Sequence, residues 1–115
     1  MQFVKDKISV SELKKMSEKM FDALVKAVVD IEQEIMVVDA PMHVDEEFLL
    51  LEEHDSQQEN LWGINLFPDK FGSDGFIVFD SMINIRPGQG NRSRSVENQQ
   101  IQKKIIEIVA KLVVK

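Results

Sequence analysis

The residues with the clearest chemical potential lie in one segment, NIRPGQGNRSRS, at positions 84–95. All three arginines of the protein, Arg86, Arg92 and Arg94, occur in it, and no acidic residue interrupts them. Arginine presents a planar fork of N–H donors that matches a carboxylate or a phosphate. The two glycines of the segment could turn backbone N–H groups towards the same group. We therefore treat this arginine loop as a candidate anion site.

The arginine loop stands out because the rest of the chain is strongly acidic. The loop carries +3, whereas the whole chain of 115 residues carries a formal net charge of -6, so the remainder carries -9. Seven acidic residues and no Lys or Arg lie in the acidic segment, residues 45–59. The arginines could instead pair with this segment, within one chain or across a contact between two subunits. This is the structural alternative to an anion site.

A polar line on a predicted sheet leads into the same loop. Period-2 alternation along a strand ending at Arg86 places Asp80 and Asn84 on the face that also carries Arg86. A hairpin register that opposes Asn65 to Val78 adds Asn65 to this face. A plain solvent-facing sheet surface is the alternative. The full set of candidate ligand-binding residues is Asn65, Asp80, Asn84, Arg86, Gln89, Gly90, Asn91, Arg92 and Arg94.

Other kinds of site fit the sequence less well. GQGNRS has a serine where a dinucleotide-binding loop has its third glycine, and no Gly-Lys-Ser/Thr phosphate loop occurs. His43, Asp45 and Glu47 form H-x-D-x-E, but on a helix only positions 43 and 47 share a face. We therefore predict no metal and no cofactor. No serine lies in a nucleophile motif, which favours a binding role over an enzyme.

The composition narrows the partners and the setting. The chain has no cysteine, which excludes disulfides and thiolate metal sites. A net charge of -6 is the wrong sign for a protein held by nucleic-acid phosphates. No segment approaches the ~18 apolar residues of a membrane-spanning helix. We expect a cytoplasmic protein with a single globular domain over residues 1–115 and with no nucleic-acid or membrane partner.

The elements that must position these residues follow from hydrophobic spacing. Two longer helices are predicted, one over 9–27 with Ser9 as its N-cap and one over about 98–113 capped by Asn98. A short acidic helix is predicted over about 45–54, capped by Asp45, with Phe48, Leu50 and Leu51 buried. Strands are predicted at 2–5, on both sides of the turn at 32–34, and over the hairpin arms 60–68 and 76–87.

The predicted fold class is therefore α+β. We expect an antiparallel sheet of about four or five strands, two main helices packed on one face, and the short acidic helix at one end.

Three segments also carry a family resemblance. They are WGINLFP at 62–68, FDSMINIRP at 79–87 and QGNR at 89–92, and the H-x-D-x-E stretch resembles the start of the middle segment of the same pattern. Together they resemble a family of small prokaryotic proteins classed as a domain of unknown function. The resemblance implies no activity and no catalytic residues.

The favoured function is a small binding or interaction module for an anionic ligand. Arg86 and Arg92 would hold the anion, next to a surface formed by Asn65, Asp80 and Asn84. One alternative is an enzyme that acts on a phosphorylated or carboxylated metabolite, with Asp80 as acid or base. The other is a homo-oligomer in which the arginine loop docks on the acidic segment.

Overall fold

The computed structural model describes residues 1–20 and 22–115. In chain order the elements are β1 (Gln2–Val4), β2 (Ile8–Ser9), α1 (Val10–Ser17), β3 (Val25–Asp30), β4 (Ile35–Val38), α2 (His43–Glu53), β5 (Leu61–Leu66), β6 (Ile77–Val78), α3 (Gln99–Leu112) and β7 (Val113–Val114). Short 3₁₀ turns lie at Gln58–Asn60, Pro68–Lys70, Asp74–Phe76, Met82–Asn84 and Pro87–Gln89. No helix in the described part of the chain combines the length and the apolar character needed to cross a bilayer.

Five strands form one antiparallel sheet in the order β1-β4-β3-β5-β6. The remaining two, β2 and β7, pair in parallel as a separate small sheet. The predicted α+β class with an antiparallel sheet of four or five strands is confirmed. So are the first strand and the two strands joined by a tight turn at 31–34.

Alternation along the strands gives the sheet two buried faces. On one face Ala27 and Ile64 pack with Leu13 of α1 and Ile105 of α3. On the other face Val28 of β3 and Val37 of β4 pack with Leu50 of α2. The two main helices share one face, as predicted, but the acidic helix covers the opposite face rather than one end of the sheet. The result is a three-layer arrangement with the sheet in the middle.

The prediction of one helix over 9–27 is wrong beyond residue 17. Its start is right, since the Ser9 hydroxyl oxygen accepts the Glu12 N–H at 3.0 Å. The helix stops at Ser17, turns follow, and Ala23 takes a positive φ of 55°. Residues from Val25 onward instead form the central strand β3. Their backbone pairs with two neighbouring strands, and their β-branched side chains are buried on both faces of the sheet. Phe21, which falls within the predicted helix 9–27, lies outside the described residues.

The acidic helix α2 starts earlier and buries another side than predicted. Met42 rather than Asp45 is its N-cap residue, and no side chain caps it. Phe48 and Leu51 are exposed. The buried side instead carries the polar residues His43, Glu46 and Glu47 together with Leu50. This side has helical spacing, but its polar residues hid it from a search for apolar stripes.

The second hairpin arm is a strand for only two residues. The predicted register is confirmed, because Asn65 pairs with Val78 and Leu66 with Ile77. Beyond residue 78 the ladder gives way to the Asn84 side chain, which bonds both the N–H (2.8 Å) and the C=O (2.9 Å) of Gly63. The close approach requires glycine at 63, since a Cβ there would lie 2.5 Å from Ser81. The predicted strand through residue 87 is therefore wrong.

Candidate functional site

A cavity of about 510 Å³ opens on the α2 side of the sheet, and we call it the α2 cavity. It lies between the first turn of α2 and the segment 80–83. Its lining combines polar groups from several parts of the chain with apolar side chains: Asp22, Leu24, Lys26, Pro41, Met42, His43, Val44, Asn65, Asp80, Ser81, Met82, Ile83 and Arg94. A second cavity of about 470 Å³, between α3 and residues 71–79, is mainly apolar and lacks such a set of polar groups.

Two neighbouring strands place Lys26 and Asn65 side by side in the α2 cavity. They are direct partners in the β3–β5 ladder. Asn65 is only 7% exposed, and its amide nitrogen donates to the Asp80 backbone oxygen at 3.2 Å. Its carbonyl oxygen Oδ1 has no hydrogen-bond partner among the described residues. A buried acceptor without a donor costs about 1–3 kcal/mol, so a donor supplied from the cavity would be stabilising.

The His43 ring is held in one tautomer by the sheet. Nε2 lies 2.7 Å from the Ile64 backbone oxygen, and because a carbonyl can only accept, Nε2 carries the proton. Burial lowers the pKa of His43 and nearby Lys26 lowers it further, whereas the hydrogen bond with the Ile64 backbone oxygen, the charge of Asp80 and the side chain of Asn65 act in the opposite direction. The imidazole is therefore neutral at pH 7. Its Nδ1 keeps a lone pair that can accept a hydrogen bond or a proton.

Asp80 and Arg94 form an ion pair within the lining. Arg94 Nε lies 2.6 Å from Asp80 Oδ1, and each side chain is about half exposed, 55% for Arg94 and 47% for Asp80. An exposed pair of this kind contributes roughly 0–1 kcal/mol, so a ligand can rearrange it at little cost. The terminal amino groups of Arg94 make no hydrogen bond within the described residues.

The first turn of α2 adds a further polar feature. The Asp45 N–H donates to the Met42 backbone oxygen at 3.2 Å, but the His43 and Val44 N–H groups have no acceptor within the helix, and Met42 has no side-chain oxygen to cap them. Such a helix start attracts negative charge.

Three side chains of the lining, Met42, Val44 and Met82, are largely exposed and form an apolar rim. An exposed apolar cluster of this kind is typical of binding surfaces.

Two asparagines organise the arginine loop from inside. Asn84 is fully buried and, besides bonding Gly63, donates to the Arg94 backbone oxygen at 2.9 Å. The Asn91 amide donates to the backbone oxygens of Asn84 (2.7 Å) and Ser95 (2.7 Å). Its Oδ1 accepts the Glu97 N–H at 2.8 Å. Both side-chain amides are therefore engaged in holding the loop together.

Arg86 and Gln89 fasten the loop to the acidic segment of the same chain. The two terminal amino groups of Arg86 donate to the backbone oxygens of Gln58 and Leu61. The guanidinium carbon lies 4.3 Å from the centre of the Trp62 ring. The Gln89 amide donates to the Glu59 backbone oxygen at 3.1 Å. These hydrogen bonds are made to backbone oxygens and not to the carboxylates of the acidic segment.

Glu47 is an acidic residue whose charge interacts with that of Arg86. Burial raises the pKa of Glu47, and Arg86 and Gln58 partly offset this rise. Arg86 thus lies among an aromatic ring, backbone carbonyls and a buried acid, all from its own chain.

The remaining candidate residues lie apart from the cavity lining. Arg92 is exposed, and its backbone N–H donates to the Glu97 carboxylate at 3.1 Å. Gly90 ends the 3₁₀ turn Pro87–Gln89 with a φ of 81°, a conformation that favours glycine. Of the nine candidate residues the structure brings three together at the cavity: Asn65, Asp80 and Arg94.

The sequence reasoning missed the parts of the lining that come from elsewhere in the chain. Lys26 was assigned to a helix, and His43 was considered only as a metal ligand. The signal for His43 was the start of α2 after Pro41, which places His43 in the first turn. Within the described residues, no three His, Cys, Asp or Glu side chains come together in a way that could hold a metal ion.

Comparison with known proteins identifies the family and nothing beyond it. No curated protein and no solved structure matches the chain. Residues 2–112 match the family model described as "Protein of unknown function (DUF5674)". The match spans all three segments on which the resemblance was based, and the prokaryotic origin stays a prediction. The chain therefore belongs to the DUF5674 family, a domain family of unknown function.

Proposed function

We propose that the protein binds a small organic molecule carrying an anionic group, and that the α2 cavity is the binding site. The observation that carries the proposal is the convergence of Asn65, Asp80 and Arg94 with His43 and the uncapped start of α2 around one cavity. Its volume of about 510 Å³ lies in the range of small-molecule sites. Such sites combine an apolar lining with a few polar groups that fix orientation.

The anionic group has three favourable contacts in this cavity. Lys26 and the terminal amino groups of Arg94 supply positive charge, and the His43 and Val44 N–H groups at the start of α2 supply donors. Asp22 and Asp80 balance the two cations, so the cavity is not basic as a whole. The apolar rim formed by Met42, Val44 and Met82 suits the hydrocarbon part of a ligand. Together these features favour a mixed ligand over inorganic phosphate alone.

This proposal moves the anion-binding role from Arg86 and Arg92 to Arg94. The terminal amino groups of Arg86 are already used by backbone oxygens of its own chain. The same contacts, with that of Gln89, favour packing of the arginine loop within one chain over docking on a second copy. Arg92 lies outside the cavity lining.

A second candidate function, an enzyme acting at the same cavity, is favoured by one observation. The neutral His43 ring has its Nε2–H fixed by Ile64, which leaves Nδ1 as a base at neutral pH. In this version His43 rather than Asp80 would take a proton from the substrate. A pH profile of turnover that follows the ionisation of one histidine would support it, and a search for turnover that finds none leaves the binding role.

Arg94→Ala and Arg92→Ala are matched variants that test the proposed site. Both remove one exposed arginine from the same loop, but only Arg94 lines the cavity. We expect isocaproate, a branched carboxylate, to bind the wild type and Arg92→Ala alike, and Arg94→Ala roughly tenfold more weakly. Calorimetric titration at constant ionic strength measures the three affinities, and circular dichroism confirms folding.

The pattern of loss separates the possible accounts. A loss confined to Arg92→Ala would return the anion site to the exposed loop. Equal losses in both variants would indicate general charge attraction. Absence of binding by isocaproate and by a panel of other carboxylates and phosphate esters would overturn the proposed function.

A further inference from the structure

We infer that the ligand of the α2 cavity carries a hydrogen-bond donor on the carbon next to its anionic group, as a 2-hydroxy or 2-amino acid does. The inference rests on the proposed function, because it specifies the chemistry of the molecule that would fill the same cavity. It follows from which groups of the cavity accept hydrogen bonds and from how closely these groups neighbour the cationic ones.

The first reason is an unused acceptor on Asn65. The orientation of its amide follows from the contact with Asp80, since the backbone oxygen of residue 80 can only accept and therefore faces Nδ2. Oδ1 is then left on the other side, buried and without a partner among the described residues. Since Asn65 is only 7% exposed, this oxygen is poorly placed to be satisfied by bulk water. A ligand donor would satisfy it.

The second reason is that the neighbouring His43 also presents an acceptor. Its Nε2–H is used by the Ile64 backbone oxygen, and that oxygen belongs to the residue immediately before Asn65. The unprotonated nitrogen of the ring is therefore Nδ1. This part of the cavity offers two acceptors, one from Asn65 and one from His43. A carboxylate or phosphate oxygen cannot satisfy either of them, so the ligand needs a separate donor.

The third reason is that the acceptors neighbour the groups that would hold the anion, namely Lys26 and the first turn of α2. Lys26 and Asn65 are direct partners in adjacent antiparallel strands, and such partners have Cβ atoms about 4.5–5.5 Å apart. The His43 and Val44 N–H groups at the start of α2 belong to the same turn as the His43 ring. An anionic group held by these N–H groups therefore lies beside the His43 ring. The donor must be on the neighbouring carbon rather than at the far end of the ligand.

The carboxylates of the lining distinguish the two forms of donor. Asp22 and Asp80 are within the same lining, and each would attract an ammonium group more strongly than a hydroxyl group. Asp80 is already paired with Arg94 at 2.6 Å, so an ammonium group would compete with that arginine, whereas a hydroxyl group would not. The two donors share the chemistry inferred here, and titration tells them apart.

Four acids with one carbon skeleton test the inference on the wild-type chain. Isocaproate has no donor, 2-oxoisocaproate has only an added acceptor, and 2-hydroxyisocaproate and leucine each add a donor next to the carboxylate. We expect one or both donor-bearing acids to bind at least about tenfold more tightly than isocaproate, because each satisfies a buried acceptor. The oxo acid should bind no better than isocaproate. NMR titration of the ¹⁵N-labelled protein near pH 7 gives the four dissociation constants.

The Asn65→Leu variant tests the assignment to one atom. It removes Oδ1 with little change in volume, so the ratio between the isocaproate dissociation constant and those of the donor-bearing acids should shrink to within a factor of about three. Equal binding of all four acids by the wild type would overturn the inference and leave the proposed function intact. Failure of every acid and of phosphate esters to bind would overturn both. If Asn65→Leu does not fold, the wild-type series decides alone.

Discussion

The Glu46→Gln variant is expected to gain stability relative to the wild type as the pH rises from 5 to 8. Glu46 is fully buried in α2, and burial raises its pKa to about 9, although its Oε2 accepts the Ala40 N–H at 3.0 Å. The other oxygen, Oε1, has no partner among the described residues. The folded protein therefore keeps Glu46 protonated at neutral pH, whereas the unfolded chain ionises it near the ordinary pKa of 4.5.

The sign follows from which state holds the proton. Between about pH 4.5 and 9 the folded state binds one more proton at Glu46 than the unfolded state does. Stability from this group is thus complete below about 4.5 and is lost as the pH rises through this window. The loss is about 1.4 kcal/mol per pH unit, or on the order of 4 kcal/mol between pH 5 and 8. Glutamine cannot ionise, and its amide oxygen can still accept the Ala40 N–H.

Urea unfolding at several pH values measures the difference in unfolding free energy between the two proteins. His43 and Glu47 titrate in both, so their effects largely cancel in the difference. Glu52→Gln is the matched control, because Glu52 is an exposed residue of the same helix. Its difference from the wild type should stay flat. A flat difference for Glu46→Gln as well would show that Glu46 is ionised in the folded protein and that its buried environment is wrongly described.

The Asn84→Ala variant is expected to lose about 3 kcal/mol or more of unfolding free energy. The substitution leaves the N–H and C=O of Gly63 without their side-chain partner, whereas the backbone oxygen of Arg94 keeps the Ser81 N–H at 3.0 Å. These groups are buried or partly buried, and each unsatisfied group costs about 1–3 kcal/mol. Because Gly63 lies in β5 two residues before Asn65, the loss should also weaken ligand binding at the α2 cavity.

Gln89→Ala is the control for Asn84→Ala in the same loop. Gln89 donates one exposed hydrogen bond to the Glu59 backbone oxygen, so its loss should change stability by less than about 0.5 kcal/mol. Urea unfolding at pH 7 measures both variants. An Asn84→Ala protein as stable as the Gln89→Ala protein would show that the side chain does not replace the missing β-ladder.

Elements whose local signals agree with their tertiary setting were predictable. Helix α3 begins after Asn98, whose side chain accepts the Gln100 and Ile101 N–H groups as expected of an N-cap. Its apolar positions Ile105, Ile108 and Leu112 are buried with the expected spacing. The register of Asn65 with Val78 followed from opposing Phe67 to Phe76 across the hairpin connection, and the Phe67 N–H does donate to the Phe76 backbone oxygen at 2.9 Å.

Elements that depend on distant partners were not predictable from local pattern. The chain from Val25 has helix-compatible spacing, yet it forms the central strand because β4 and β5 flank it on both sides. The arm after Val78 alternates like a strand, but the Asn84 amide takes the place of its backbone at Gly63. Both β5, which flanks β3, and Gly63, which Asn84 bonds, lie outside the sequence window on which a local helix or strand prediction is based.

Only part of the candidate site was predicted, because the remaining contacts also involve residues that are distant in the sequence. Charge and register pointed to Asn65, Asp80 and Arg94, which do line one cavity. The role of Arg86 depends on its contact with the ring of Trp62, which lies far along the chain. The role of Asn91 depends on hydrogen bonds to backbone oxygens inside the loop. Residue type alone could not separate an arginine that holds the loop from one that is free to meet a ligand.

NMR mapping on the wild-type chain tests the central claim, a ligand site at the α2 cavity, most directly. During titration of the ¹⁵N-labelled protein with 2-hydroxyisocaproate, we expect saturable shifts of the backbone amides of Lys26, His43, Val44 and Asn65 and of the Arg94 side chain. The amides of residues 88–92 should change little. Shifts confined to residues 88–92, or no saturable shift from this acid or from the other acids and phosphate esters of the panel, would contradict the account.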